Sequence, residues 1–151
     1  MGRILRTYRR CIRLPFGKLI FMRGVEFNAP YFRSIRARVI DYREGHAQFR
    51  IADRRRVHNH IGTVHAIALC NLAELCGALA VDSITPSHLR WIPQGMTVKY
   101  TAKARGAITG TCEISPQAMA PGVVTAPITM RDAAGQIVMT AHIDFHVSAQ
   151  K

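Results

Sequence analysis

From Ala66 to Val81 the chain runs through apolar or small side chains, AIALCNLAELCGALAV, and only Asn71 and Glu74 interrupt it. A helix that is apolar nearly all round cannot face water and needs cover on several sides. The run is shorter than the ~20 residues of a spanning helix and carries an acid, so it is expected to be a core helix, with no transmembrane segment. The cover must come from the rest of the chain.

The flanking sequence alternates with period two, the signature of half-buried strands. Ala47, Phe49 and Ile51 face one way and Gln48 and Arg50 the other, and "REG" at 43–45 ties this strand to the preceding "RARVIDY" as a hairpin. "DSITPSH" (82–88) ends the helix, after which Met96, Val98, Tyr100 and Ala102 are predicted inside and Thr97, Lys99, Thr101 and Lys103 outside. "ARG" at 104–106 reads as the next turn, with Ile108, Cys112 and Ile114 on the returning strand. A third hairpin joins Val124–Arg131 to Ile137–Val147 through "DAAG", with Ile137, Met139, Ala141, Ile143, Phe145 and Val147 alternating on the inward side of its second arm, and Pro127 marks an edge or a bulge on its first arm. The sum is α+β: one mostly antiparallel sheet wrapped around one long central helix. Ahead of it, residues 3–24 show helical spacing through Leu5, Tyr8 and Ile12, broken at Pro15 and Gly17, so a basic N-terminal helical segment precedes the sheet.

At 151 residues, 48% hydrophobic and 20% charged, the chain has the size and composition of one globular domain. Its charge is less ordinary. A formal +12 arises from 21 Lys and Arg against 9 Asp and Glu, and the run from Arg3 to Arg23 holds seven cations before the first acid, Glu26. Such a surface favours anionic partners: nucleic acid, an acidic membrane surface or a phosphate-bearing small molecule. No nucleic-acid motif accompanies it, so none is expected as a partner. The N-terminus lacks the uninterrupted apolar part and cleavage site of a signal peptide. Cys11, Cys70, Cys76 and Cys112 show neither C-x-x-C spacing nor the density of a disulfide scaffold, so reduced thiols and a cytoplasmic location are expected.

One acid inside the apolar helix asks for a reason, and "NHIGTVHAIALCNLAE" (59–74) offers one. This segment resembles the active-site segment of the hotdog-fold acyl-CoA thioesterases, in the branch related to the phenylacetate-pathway enzymes. The shared pattern is an Asn, then Gly-x-x-His before a helix, then an acid on that helix. "APYFRSI" (29–35) together with the motif also resembles an uncharacterised thioesterase-like hotdog branch. The resemblance covers about residues 33–148, leaving 1–32 as the helical extension of a single hotdog domain.

The resemblance implies an acyl-CoA thioesterase acting on an acyl-CoA or acyl-carrier-protein substrate, with coenzyme A entering only as part of the substrate and no other cofactor. Asn59 and the backbone N–H of Ala66 would hold the thioester carbonyl, His65 would shape the turn into the helix, and Glu74 would be the base or nucleophile. Gly62, Ile67 and Asn71 would adjoin the substrate. The chain departs from the family in one respect: Ala66 and Ile67 stand where the related enzymes usually carry Gly-Gly, and the added bulk narrows the approach. A non-catalytic thioester-binding protein is therefore the alternative.

Elementary chemistry supports the same positions. A helix N-terminus presents unpaired N–H groups and a partial positive charge to a developing oxyanion. A carboxylate among Leu72, Ala73, Leu75 and Cys76 is expected to be harder to ionise than in water, as a general base requires. Ala66 and Glu74 lie about 12 Å apart along one helix at ~1.5 Å per residue, too far to serve one reacting group. Two antiparallel copies across a dyad bring them together, so an obligate homodimer with shared sites is expected, its further pairing into a tetramer left open. Arg54, Arg55 and Arg56 suit the phosphates of coenzyme A. A plainer reading makes Glu74 a structural acid satisfied by Asn71 or an Arg. His58, His60 and His65 suggest a metal site only weakly, no nearby Cys or carboxylate completing the set, and no metal is expected.

Overall fold

The apolar run folds as helix α3, Ala66–Ile84, and the computed structural model, which describes residues 2–150, wraps the rest of the chain around it. Leu72, Ala73, Leu75, Cys76, Ala80 and Val81 on this helix are wholly buried. By length and composition α3 could cross a membrane, yet 67% of its apolar window is buried inside the fold, which accounts for its apolarity. Its end is set locally: Thr85 Oγ1 donates to Val81 O at 2.7 Å, and Pro86 has no N–H with which to continue.

The cover is a six-stranded sheet, antiparallel throughout. The strands are β1 (Arg38–Arg43), β2 (His46–Ile51), β3 (Leu89–Tyr100), β4 (Ile108–Glu113), β5 (Gly122–Arg131) and β6 (Ile137–Ala149), laid out in the order β1-β2-β4-β5-β6-β3. α3 rests on β2, β4 and β5 in the middle of this order. This is the hotdog arrangement that the motif implied. The β1–β2 hairpin turns tightly at Gly45, whose φ of +70° and 2.3 Å clearance from the Ile114 carbonyl exclude a side chain.

Two helices precede the sheet, α1 (Arg3–Cys11) and α2 (Gly17–Asn28). The first has no side-chain cap of its own. Instead Asp82, near the end of α3, accepts from Ile4 N at 3.2 Å. Leu5, Tyr8, Phe21 and Met22 turn inward, and the rings of Tyr8, Phe21, Tyr42 and Phe49 form a chain with centroids 5.0–6.3 Å apart, joining α1, α2, β1 and β2. Phe49 is fully buried at the inner end of this chain. Phe49→Ala is expected to cost about 3–5 kcal/mol through the cavity it leaves. In urea titration the midpoint should fall with the slope unchanged.

Three local expectations are corrected. "ARG" at 104–106 does not close a hairpin: β3 pairs with β6, while β4 pairs with β2 and β5, so the segment is a crossover between distant strands. Adjacent alternating runs look like a hairpin from sequence because pairing partners leave no mark on periodicity. Tyr100 is 52% exposed and Met96 and Val98 are only half-buried, because β3 is an edge strand that α3 barely covers. Ile137, predicted inside, is 36% exposed beside the irregularity in pairing at Arg131. Pro127 stands where predicted: β5 from Gly122 to Pro127 extends past β4 and pairs only with β6.

Candidate active site

The loop from Asn59 to His65 delivers the chain to the start of α3. Asn59 Oδ1 accepts from the N–H groups of Ile61 and Thr63 at 3.1 Å each, and its Nδ2 donates to Thr63 Oγ1 at 2.8 Å. The tight return requires Gly62, at a φ of +72°. One Nδ2 proton of Asn59 is not used by the loop. His65, extended at the N-cap, accepts on Nδ1 from the N–H of Ile67 at 3.0 Å. That bond fixes the tautomer, with the ring proton on Nε2. The N–H of Ala66 has no hydrogen-bond partner among the described residues and lies in the positive end of the helix.

The face of α3 turned from the sheet carries Ile67, Cys70, Glu74 and Ala78, spaced three or four residues apart on one stripe. Ile67 is 55% exposed, and the other three are half-buried. Glu74 has neither an ion pair nor a hydrogen bond among the described residues. Asn71 does not satisfy it: the amide is 5% exposed and donates to Ser34 Oγ at 3.0 Å and Tyr31 O at 3.4 Å, fastening the Pro30–Ser34 turn to α3. The plainer reading of Glu74 thus loses its named partner. Beside the stripe runs β3, whose outer edge has no strand partner in the protomer.

Tyr100 bridges β3 and this stripe, its Oη 3.2 Å from Cys70 Sγ. That contact, with burial second, pushes the phenol up to about 12. Sequence reasoning missed this hydroxyl because alternation assigned Tyr100 to the core. Trp91 stands edge-on to Phe145, ring centroids 5.3 Å apart, and packs against the core.

A second missed feature is the pair formed by Asp53 and His58. Asp53 accepts from His58 Nε2 and, at 2.7 Å, from Gly106 N, while Val64 N donates to Ala104 O at 2.9 Å. These bonds pin the motif loop to the β3–β4 crossover. They also place a carboxylate beside one of the three histidines, though two groups make no metal cluster. The signal was a short i, i+5 spacing that became a contact only through the turn at Arg55–Val57.

Two carboxyls here respond to acid with opposite signs. The His58 hydrogen bond holds Asp53 below the usual carboxylate range. Its stabilising contribution is full above the unfolded pKa of about 3.9 and is lost as pH falls through the lower folded value. Burial pushes Asp82 up, against the lowering by Ile4 N and by Arg3 and Arg6. Relative to high pH, its contribution grows as pH falls through that raised value toward about 3.9. In melting curves across this range, Asp53→Asn should flatten the acid loss of stability and Asp82→Asn should steepen it.

The three arginines separate. Arg54 points inward, donating to Ile35 O at 3.2 Å with its Nε buried and unpartnered, whereas Arg55 and Arg56 are exposed. Arg54 joins Arg23, Arg36 and Arg38 around a cleft of about 300 Å³ between α2 and β1, where Glu26 is the acid present and pairs with Arg23 at 3.3 Å.

Six antiparallel strands wrapped around one central helix define the hotdog fold. The chain belongs to the family of the domain of unknown function DUF4442, whose model matches residues 17–147 and so takes in α2. A structural-genomics protein, APC5556, is 36% identical over 97% of this chain and 99% of its own, with a TM-score of 0.87. PA5026 of Pseudomonas aeruginosa, a protein of unknown function described as a probable thioesterase, shares 20% identity over 83% of this chain and 91% of its own, TM-score 0.74. Thioesterase HI1161 of Haemophilus influenzae shares 13% identity over 79% and 82%, TM-score 0.71. The last two similarities speak for the fold. No curated protein matches the sequence.

Proposed function

We propose that the protein is a thioester hydrolase acting on an acyl-CoA or acyl-carrier-protein substrate, at two sites shared across a homodimer. The observation that carries this reading is the pairing, on one helix, of an N–H at Ala66 and an acid at Glu74 that both lack a partner among the described residues. Their ~12 Å separation along α3 requires a second copy to bring them to one carbonyl. The unpaired edge of β3 and the half-open stripe of α3 lie side by side and supply the surface for that copy. The names of PA5026 and HI1161 point the same way.

In this mechanism the substrate carbonyl oxygen takes its hydrogen bond from Ala66 N–H, with the remaining Nδ2 proton of Asn59 as a second donor. Glu74 of the partner subunit removes a proton from water as the water oxygen bonds to the carbonyl carbon. Charge moves onto the carbonyl oxygen, against the helix N-terminus. Collapse of this oxyanion breaks the carbon–sulfur bond. The sulfur takes the proton held by Glu74 and leaves as the thiol, and the acid is released. His65 keeps the entrance in register through Ile67 N, and the arginine cleft with Arg55 and Arg56 receives the substrate phosphates. Water, one base and the donors suffice, so no cofactor is invoked.

A screen of aryl, medium-chain and long-chain acyl-CoA thioesters, monitored by thiol release, tests the reading, with turnover of at least one class expected. The second reading, a thioester-binding protein without turnover, is favoured by Ile67, which stands 55% exposed at the entrance where a glycine would leave room. Binding without thiol release across the panel would establish it.

A further inference from the structure

The turn between α1 and α2 carries a group of apolar side chains that the fold leaves in water, of which Leu19 alone also borders the arginine cleft. Ile12 is 47% exposed, Leu14 55%, Phe16 83%, Leu19 56% and Ile20 46%. Ile12, Phe16 and Leu19 share the walls of one open groove, with Tyr8 and Lys18, so these three form a patch, and Leu14 lies in the same turn. Contiguous apolar surface of this kind marks an interaction site, unlike scattered single exposures.

Phe16 is the most telling member. It occupies the left-handed region, with a φ of +59° at the N-cap of α2, where a bulky residue is disfavoured and Gly or Asn would fit without strain. No burial offsets that strain within the protomer, since the side chain stands in solvent. The backbone therefore holds a phenyl ring outward at the tip of a helical turn.

Charge around the tip identifies what it meets. Arg6, Arg9 and Arg10 on α1, Arg13 in the turn and Lys18 on α2 are all exposed, and no acid occurs before Glu26. Apolar side chains at a tip with cations behind them match an anionic lipid surface, where rings and aliphatic groups enter the acyl boundary and the cations stay among the headgroups. Nucleic acid would engage the cations but leave Leu14, Leu19 and Ile20 without a role. α2 packs on β1, at the opposite end of the sheet order from the β3 edge of the proposed dimer, so that dimer leaves the patch uncovered.

We infer that the α1–α2 turn is an interfacial membrane-binding element: Leu14, Phe16 and Leu19 insert into an anionic leaflet, and the flanking arginines neutralise its headgroups. This inference is independent of thioester hydrolysis. Each cation near such a surface contributes about fivefold to partitioning and is screened by salt.

The test is sedimentation of the full-length protein with phosphatidylcholine vesicles, with and without phosphatidylserine. The wild type should pellet with the phosphatidylserine vesicles and be released by salt. Phe16→Gly combined with Leu14→Ser should reduce partitioning about tenfold or more, through lost apolar insertion. Both positions are exposed, so the melting midpoint should hold or rise. Absence of wild-type binding to either vesicle overturns the inference. So does undiminished binding by the variant, which would mean adsorption through charge alone. A wild-type assembly larger than a dimer that the variant reduces would also overturn it, by assigning the patch to a second copy. So would retention of an RNA oligomer by both proteins with no pelleting by either.

Discussion

Glu74→Gln is expected to lower kcat/KM for the best thioester substrate by about 10²–10⁴-fold, the contribution of a positioned general base. The substitution keeps the volume and removes only the charge. Glu74 forms no ion pair or hydrogen bond among the described residues, so no such bond there is lost with its carboxylate. The melting midpoint should therefore hold or rise, and substrate affinity should change little. Steady-state kinetics beside a thermal melt separate this outcome from damage to the fold. Unchanged turnover would remove Glu74 from the chemistry.

Ala66→Pro is expected to lower kcat by about 10²–10³-fold, the usual cost of one oxyanion donor. Proline is normally destructive in a helix, but Ala66 is the first residue of α3, where proline is favoured because that N–H has no partner inside the helix. The preceding residue must be extended, and His65 already has φ −64° and ψ 139°. The substitution therefore replaces the N–H donor by a ring carbon and leaves the helix in place, with melting unchanged.

The pair also tests sharing across the dyad. In a heterodimer of Glu74→Gln with Ala66→Pro, one site carries both lesions and the other carries neither. Random reassociation of two inactive homodimers should restore about a quarter of wild-type activity, half of the dimers having one working site of two. Recovery at this level requires donor and acid to come from different subunits. No recovery, with subunit exchange verified, would assign both groups to one subunit and end the shared-site mechanism.

How far the sequence reached can be judged from single elements. The long helix was legible because an apolar run without alternation has no other stable solution, and β6 because Met139, Ala141, Ile143, Phe145 and Val147 alternate against four polar or charged neighbours and one at the strand's start that does not. The β1–β2 hairpin was legible because Gly45 punctuates two alternating runs. Among candidate site residues, Asn59, Gly62, His65, Ala66 and Glu74 were proposed through the motif. The contacts of Tyr100 with Cys70 and of Asp53 with His58 were not, because each joins groups whose proximity depends on a strand edge or a turn rather than on a repeating period.

Local chemistry in the chain determined which segments are helical or extended, which faces are apolar, and that an acid sits within the core helix. Those properties depend on side-chain spacing over a few residues, and spacing is written in the order of the amino acids. Tertiary structure decided that β3 pairs with β6 rather than β4, that Asn71 anchors the Pro30–Ser34 turn and leaves Glu74 alone, and that Arg54 turns inward while its neighbours do not. Each of these is a choice among partners distant in the chain, made by the shape of the packed core and the hydrogen bonds left to satisfy, and no local pattern encodes it.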